Sequence, residues 1–197
     1  MDYEKAVVEF LSSKENLPFA LEIAEKIESV KDKIQVEFWE LVTKKLEEQM
    51  AGSPFAENWK VKSDKEESFL NNHVGVAIIP AEAECISLTV KIKQVSSVCE
   101  IEKGIRWSSE FQDEITIDKL VKFKKEYELQ GFKTTPWWLL HKGTGYKIRT
   151  DDFLIRLAHD LEGVTSQIAD LVWEFFSENE EEIRHINKLI EENGGKP

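Results

Sequence analysis

From Ile86 to Lys93 the chain alternates strictly, with Ile86, Leu88, Val90 and Ile92 apolar and Ser87, Thr89, Lys91 and Lys93 polar. A period of two puts one set of side chains against a core and the other in water, which is the signature of a strand in a half-covered sheet. Both ends of the chain keep a different period. Phe19, Ile23, Ile27 and Val30, then Ile34, Phe38, Leu41, Val42 and Leu46, recur at three and four residues, as do Val164, Ile168, Leu171, Val172, Phe175, Ile183, Ile186, Leu189 and Ile190. That spacing builds amphipathic helices. A chain that changes period twice in this way must stack helices on a sheet, and the rest of the fold reading follows from it.

The first helical stretch opens with Val7, Val8, Phe10 and Leu11, is interrupted before Pro18, and ends at Gly52-Ser53-Pro54. Val74, Val76 and Ile78 alternate up to Pro80, and Ala81 to Ala83 fits a hairpin connection to the strand beyond. Further short strands are expected at Trp59–Lys62, Val98–Trp107 and Trp137–Lys142, with another at Tyr146–Arg149. Strands that follow one another with short links pair antiparallel. Ile117 to Leu129 has the apolar residues of a helix, Leu120, Val121 and Phe123, and Gly131 to stop it. Thr150-Asp151-Asp152 is an N-cap cluster for a helix over Phe153–Leu161, and the long periodic run follows Gly163. Its 30 or so residues would reach roughly 45 Å, so it should lie across the sheet, pair with the N-terminal helices or kink near Ser177–Asn179. The expected fold is therefore α+β: a mostly antiparallel sheet of four to six strands with N-terminal helices and long C-terminal helices. It forms one domain over 1–197, with a helical part to 52, a sheet-rich middle over 53–149 and C-terminal helices over 150–193. Trp39, Trp59, Trp107 and Trp173 are expected in its core.

With 41% hydrophobic and 32% charged residues, the composition is neither disordered nor membrane-embedded. Asp2 and Glu4 stand where a secretion signal would need positive charge, and Cys85 and Cys99 are too few for a disulfide framework, so a cytoplasmic protein is expected. The net charge of −12 argues against general nucleic-acid affinity. Charge is unevenly spread: residues 1–52 carry −5, residues 160–192 carry −8, and residues 53–159 sum to zero.

Within that neutral middle, Phe132 to Arg149 contains no acid and gathers Lys133, Lys142, Lys147 and Arg149 around Trp137, Trp138 and Tyr146. Two arrangements fit. The tryptophans could fill the core while the bases face the acidic C-terminal helix, or the stretch could be an outward surface for a protein or an anion, since aromatic stacking with cations on phosphates is how single strands are held. The second gives the candidate binding set Trp137, Trp138, His141, Lys142, Tyr146, Lys147 and Arg149. Gly143-Thr144-Gly145 lacks the GxxxxGK(S/T) spacing of a phosphate loop and fits a hairpin turn.

Catalytic patterns are missing from the sequence. His73, His141, His159 and His185 are not spaced as metal pairs, the cysteines form no CxxC, and no GxSxG elbow occurs, so no metal or cofactor is expected. No acid-x-Lys pair lies within the best strand, as a metal-dependent nuclease would require. Glu178, Glu180, Glu181 and Glu182 on the terminal helix could imitate a phosphate backbone, which gives an alternative reading as an acidic inhibitor of a DNA-binding enzyme; a solvated helix face is the plainer one. The same long helix could pair with its copy in a homodimer.

The segments IQVEFWELVTKKLEEQM (34–50), PWWLLHKGTGYKIR (136–149) and DFLIRLAHD (152–160), with the strands between and the long helix after them, resemble a known arrangement. It is the region that follows the nuclease core in some bacterial and phage proteins of the PD-(D/E)XK superfamily. The resemblance covers about residues 30–190 and rests on hydrophobic landmarks. The PD…(D/E)xK series itself has no counterpart here, so no catalytic residue carries over. What the resemblance implies is an accessory or recognition module of bacterial or phage origin, with a nuclease-related nucleic-acid-processing protein as a further alternative. The expectation taken forward is a non-catalytic module that binds a protein partner.

Overall fold

The computed structural model describes residues 3–64, 74–82, 87–95, 100–108, 118–148 and 150–192. The elements run α1 (Tyr3–Leu11), α2 (Leu17–Ala51), β1 (Trp59–Asp64), β2 (Gly75–Pro80), β3 (Leu88–Val95), β4 (Glu100–Trp107), α3 (Asp118–Glu128), β5 (Trp138–Lys147) and α4 (Asp151–Glu192). All five strands pair antiparallel in sequence order, β1-β2-β3-β4-β5. The fold is α+β, as the periods require. Cys85, Ile86, Val98, Cys99, His73, Ile117 and Arg149 lie outside the described residues, as does the link from Ala83 onward.

The alternation around Leu88–Ile92 works as expected on one face only: Ser87, Thr89 and Lys91, expected in water, are buried as well. Val76, Ile78, Leu88, Val90, Ile92, Ile101, Ile105 and Leu140 are all buried under the helices. Phe38, Val42 and Leu46 of α2 and Ile168, Val172, Phe176, Ile183 and Ile186 of α4 close over them. Phe176 sits at the centre of an aromatic group, with ring centroids 5.4 Å from Phe55, 5.2 Å from Trp59 and 5.6 Å from Trp173. Burying side chains of this size contributes about 1.5–3 kcal/mol each. Trp39, Trp59 and Trp107 are buried, whereas Trp173 is only partly so and rests on the core's edge. In α3, Leu120 and Phe123 are buried but Val121 faces outward.

Two further expectations need correction. The strands foreseen at Trp137–Lys142 and Tyr146–Arg149 are one strand, β5, and Gly143-Thr144-Gly145 is an irregularity inside it rather than a hairpin turn. The two C-terminal helices foreseen, over Phe153–Leu161 and after Gly163, meet at a non-helical residue, Asp160 (φ −149°, ψ 63°), and the long run that follows stays helical through Ser177–Asn179. Asp160 caps the second segment, its Oδ1 accepting the Gly163 N–H at 2.9 Å. Finally, the N-terminal helices do not all pack on the sheet. No residue of α1 is buried, and in α2 burial begins only at Gln35. Helix α2 has 35 residues and a length of about 52 Å, while strands of six to ten residues reach about 20–33 Å. A helix that long must overhang the body, and its N-terminal part with α1 forms an arm.

Candidate functional site

Strand β5 positions the basic, aromatic residues, and a bulge decides where each one points. Ile105 pairs with Leu140, but its neighbour Arg106 pairs with Trp138, so Leu139 is one residue too many. In an unbroken strand Trp138 and Leu140 would share a face; the extra residue rotates Trp138 to the opposite side. There it lies beside His141 (centroids 5.8 Å apart) with the Lys93 ammonium 5.4 Å from its ring. Trp138 is 4% exposed, so it is not part of an outward surface.

On this second face the register sets Ala77, Lys91, Gly104 and His141 side by side, with Gly75, Lys93, Glu102 and Gly143 in the next row. His141 Nδ1 is 3.2 Å from Glu102 Oε2, both side chains being largely covered. Gly104 leaves the imidazole room to lean that way. A Cβ on Gly104 would lie 2.0 Å from the Leu140 carbonyl oxygen, so no other residue fits between these strands. A carboxylate that holds an imidazole is half of a nucleophile-activating arrangement. The other half is missing: among the described residues no hydroxyl or thiol is hydrogen-bonded to His141. Nor do the described residues contain a group of three or more His, Cys, Asp or Glu that could hold a metal ion.

The remaining predicted residues go elsewhere. Lys142 points to the helix-covered face, where its Nζ donates to the Gln130 carbonyl at 3.0 Å and lies over Phe132. Trp137 is 40% exposed and is covered from one side by the Arg106 guanidinium, 5.3 Å from its ring. Tyr146 packs edge-on against Phe153 and under Arg156. It lines, with Lys147, Asp152 and Arg156, a cavity of about 610 Å³ between β5 and the start of α4. Arg156 is already engaged there, donating to Gln167 Oε1 at 2.6 Å. The six described residues of this set thus divide between two faces and an edge; a two-residue period and a bulge do not present them together. The Gly143-Thr144-Gly145 irregularity does cradle an anion, but one from its own chain. Gly145, at φ 82°, donates its N–H to Glu100 Oε1 at 2.9 Å, and the Thr144 hydroxyl donates to the Ile101 carbonyl at 2.7 Å.

Several bases do face the acidic helix. Lys119 pairs with Glu182 at 3.1 Å, and Lys103 lies 5.2 Å above the Phe175 ring, near Glu174 and Glu178. Burial is the strongest influence on the Lys103 pKa and, together with Lys142, holds it below the usual lysine value although Glu178 and Glu174 raise it. Of the four acids proposed as a phosphate mimic, only Glu178 and Glu181 are exposed. Glu180 is buried, accepting the Trp59 indole N–H at 2.8 Å and Arg184 Nε at 3.1 Å. The four carboxylates do not form a continuous outward row. Helix α4 also buries its apolar stripe within its own chain, where it meets α2 and the sheet.

The surface that stands out lies elsewhere. Fifteen large hydrophobic residues are exposed among the described ones, and eleven of them, from Tyr3 to Val30, belong to the arm. They include Phe10 at 65%, Phe19 at 66% and Ile23 at 63% exposure. On α1, Tyr3, Ala6, Val7 and Phe10 share one side; on α2, Phe19, Ile23, Ile27, Val30 and Ile34 form a stripe. The sequence displays this stripe plainly, yet periodicity alone reads it as core. Its excess length over the sheet was the available sign that it could not all be covered.

Comparison of the chain with protein-family models, with curated proteins and with solved structures finds no match. Fold and site together define an α+β protein with an antiparallel five-stranded meander, helices closing one face, and an amphipathic helical arm that leaves the body. No described helix is long and apolar enough to cross a membrane.

Proposed function

We propose that this protein is a non-catalytic binding module that engages another protein through its N-terminal arm. The observation that carries this reading is the concentration of exposed apolar side chains on residues 3–30. Isolated helices shorter than about 12–15 residues are marginal in water, and α1 has nine residues with none buried. An arm of this kind gains its stability when a second surface covers it, and exposed apolar patches of this extent mark interaction sites. An accessory module of the sort the PD-(D/E)XK resemblance implies belongs to the same class, and that resemblance is the basis for placing the protein in a bacterial or phage-infected cytoplasm. The binding residues in this reading are those of the arm; Trp138, His141 and Tyr146 are engaged in the protein's own packing and pairing.

A photo-crosslinking side chain at position 27 of the full-length protein, in its native host, tests the proposal, with position 155 as an exposed apolar control outside the arm. Discrete protein adducts are expected from position 27 alone, and Ile23→Asp should abolish them. Equal adduct patterns from both positions, or adducts indifferent to Ile23→Asp, would count against it.

A further inference from the structure

Resting on that reading of the arm, we infer that its partner contributes an acidic amphipathic helix rather than a second copy of this chain. Ile23, Ile27, Val30 and Ile34 succeed one another at four, three and four residues, the spacing of a coiled-coil seam. Ile23, Ile27 and Val30 are exposed, while Ile34 is partly buried where the seam meets the body. The positions that border such a seam decide what can dock on it.

On one border stand Lys26 and Lys33, both exposed and neither in an ion pair among the described residues. On the other stands Lys31, held 3.0 Å from Glu28. The acids of this segment, Glu25, Glu28 and Asp32, lie around the far side of the helix. In a parallel pair of two such arms, Lys26 of one would meet Lys31 of the other. In an antiparallel pair Lys26 would meet Lys33. Self-association therefore sets lysine against lysine in either orientation, although the chain carries 38 acids that could have stood there. An apolar seam bordered by cations is complementary to a helix with apolar seam residues and carboxylates beside them. An anionic lipid surface fits less well, because the arm as a whole is not basic: residues 3–34 hold seven acids and five lysines.

The test uses the full-length protein and two synthetic helical probes with the same leucine seam, one bordered by glutamates and one by lysines, read by fluorescence anisotropy. The glutamate probe should bind tighter by on the order of fivefold or more, since several border pairs change from repulsive to attractive. Added salt should shrink the margin, and the double variant Lys26→Glu with Lys33→Glu should invert the preference while leaving the circular dichroism of the body unchanged. Light scattering should find the free protein monomeric. Equal binding of both probes, abolished by Ile27→Asp, would overturn the assignment of an acidic partner but leave the arm as a docking element. So would a homodimer, or adsorption to anionic vesicles, that Ile27→Asp removes. If neither probe binds and Ile27→Asp alters no association, the docking reading falls with it.

Discussion

Asn187 shows how far a single side chain can reach in this fold. Continuing the β2–β3 register two residues beyond Ile78↔Val90 brings Pro80 opposite Leu88. Proline has no N–H to donate, so the Leu88 carbonyl loses its normal ladder donor. Asn187, from α4, replaces it: its Oδ1 accepts the Leu88 N–H at 2.6 Å and its Nδ2 donates to the Leu88 carbonyl at 3.0 Å. Asn187→Leu would leave both backbone groups unpaired in a partly buried place, and chemical denaturation should show a loss of about 2–3 kcal/mol. Lys103 provides a contrasting case. Because burial depresses its pKa in the fold, the unfolded chain binds more protons between that lowered value and 10.5, and stability contributed by this residue rises with pH across the window. Lys103→Met should be at least as stable as the parent near neutrality, and the difference should narrow as pH climbs toward 10.5, as thermal melts across that range would record. Neither residue announces itself in the sequence. Asn187 sits in an ordinary helical run, and Lys103 reads as one more solvated base in Glu-Ile-Glu-Lys.

Among the elements, β5 departs most from what periodicity implies, through irregularities at Leu139 and at Gly143-Thr144-Gly145. The extra Leu139 in β5 is what separates Trp138 from Leu140 and moves the indole to the face with His141. Nothing in Trp-Trp-Leu-Leu-His tells a bulge from a regular strand, because the extra residue is defined only against Ile105 and Arg106 across the ladder. The break in α4 was more legible. The periodic run was expected to restart after Gly163, and Asp160 is the residue whose carboxylate caps the restart. A Cβ at Gly163 would lie 2.1 Å from Asp160 Oδ2, so the glycine and the aspartate act as a unit. Asp160→Ala should lower stability by about 1 kcal/mol, a typical N-cap loss, and Asp160→Asn should restore most of it; urea titrations of the two variants would separate them.

For the whole molecule, the body and the arm are stabilised by different means. In the body, apolar residues from α2, α4 and the sheet form one cluster in which the fully buried side chains reach from Phe38 to Ile190. The arm has no such cover, and its amides should exchange with solvent deuterium far faster than those of α2 beyond Gln35. Ile27→Asp or Val30→Asp should change the stability of the free protein by no more than about 0.5 kcal/mol, the range for surface positions, whereas Val42→Asp should prevent folding. Comparing thermal melts with exchange rates checks both statements. A protected arm in the isolated protein would mean that it folds back onto the body.

Local order came from the chain itself. The period of two around Leu88–Ile92, the period of three and four at both ends and the stop at Gly52-Ser53-Pro54 are properties of neighbouring residues, and each led to the right kind of element. Tertiary contact decided which apolar stripes would be covered, which lysines would meet carboxylates, and on which side of the sheet Trp138 would lie. Burial depends on what arrives from distant sequence. The same spacing of isoleucine, valine and phenylalanine is core where α4 reaches it, at Phe38 and Val42, and open surface about two and three turns beyond, at Val30 and Ile27.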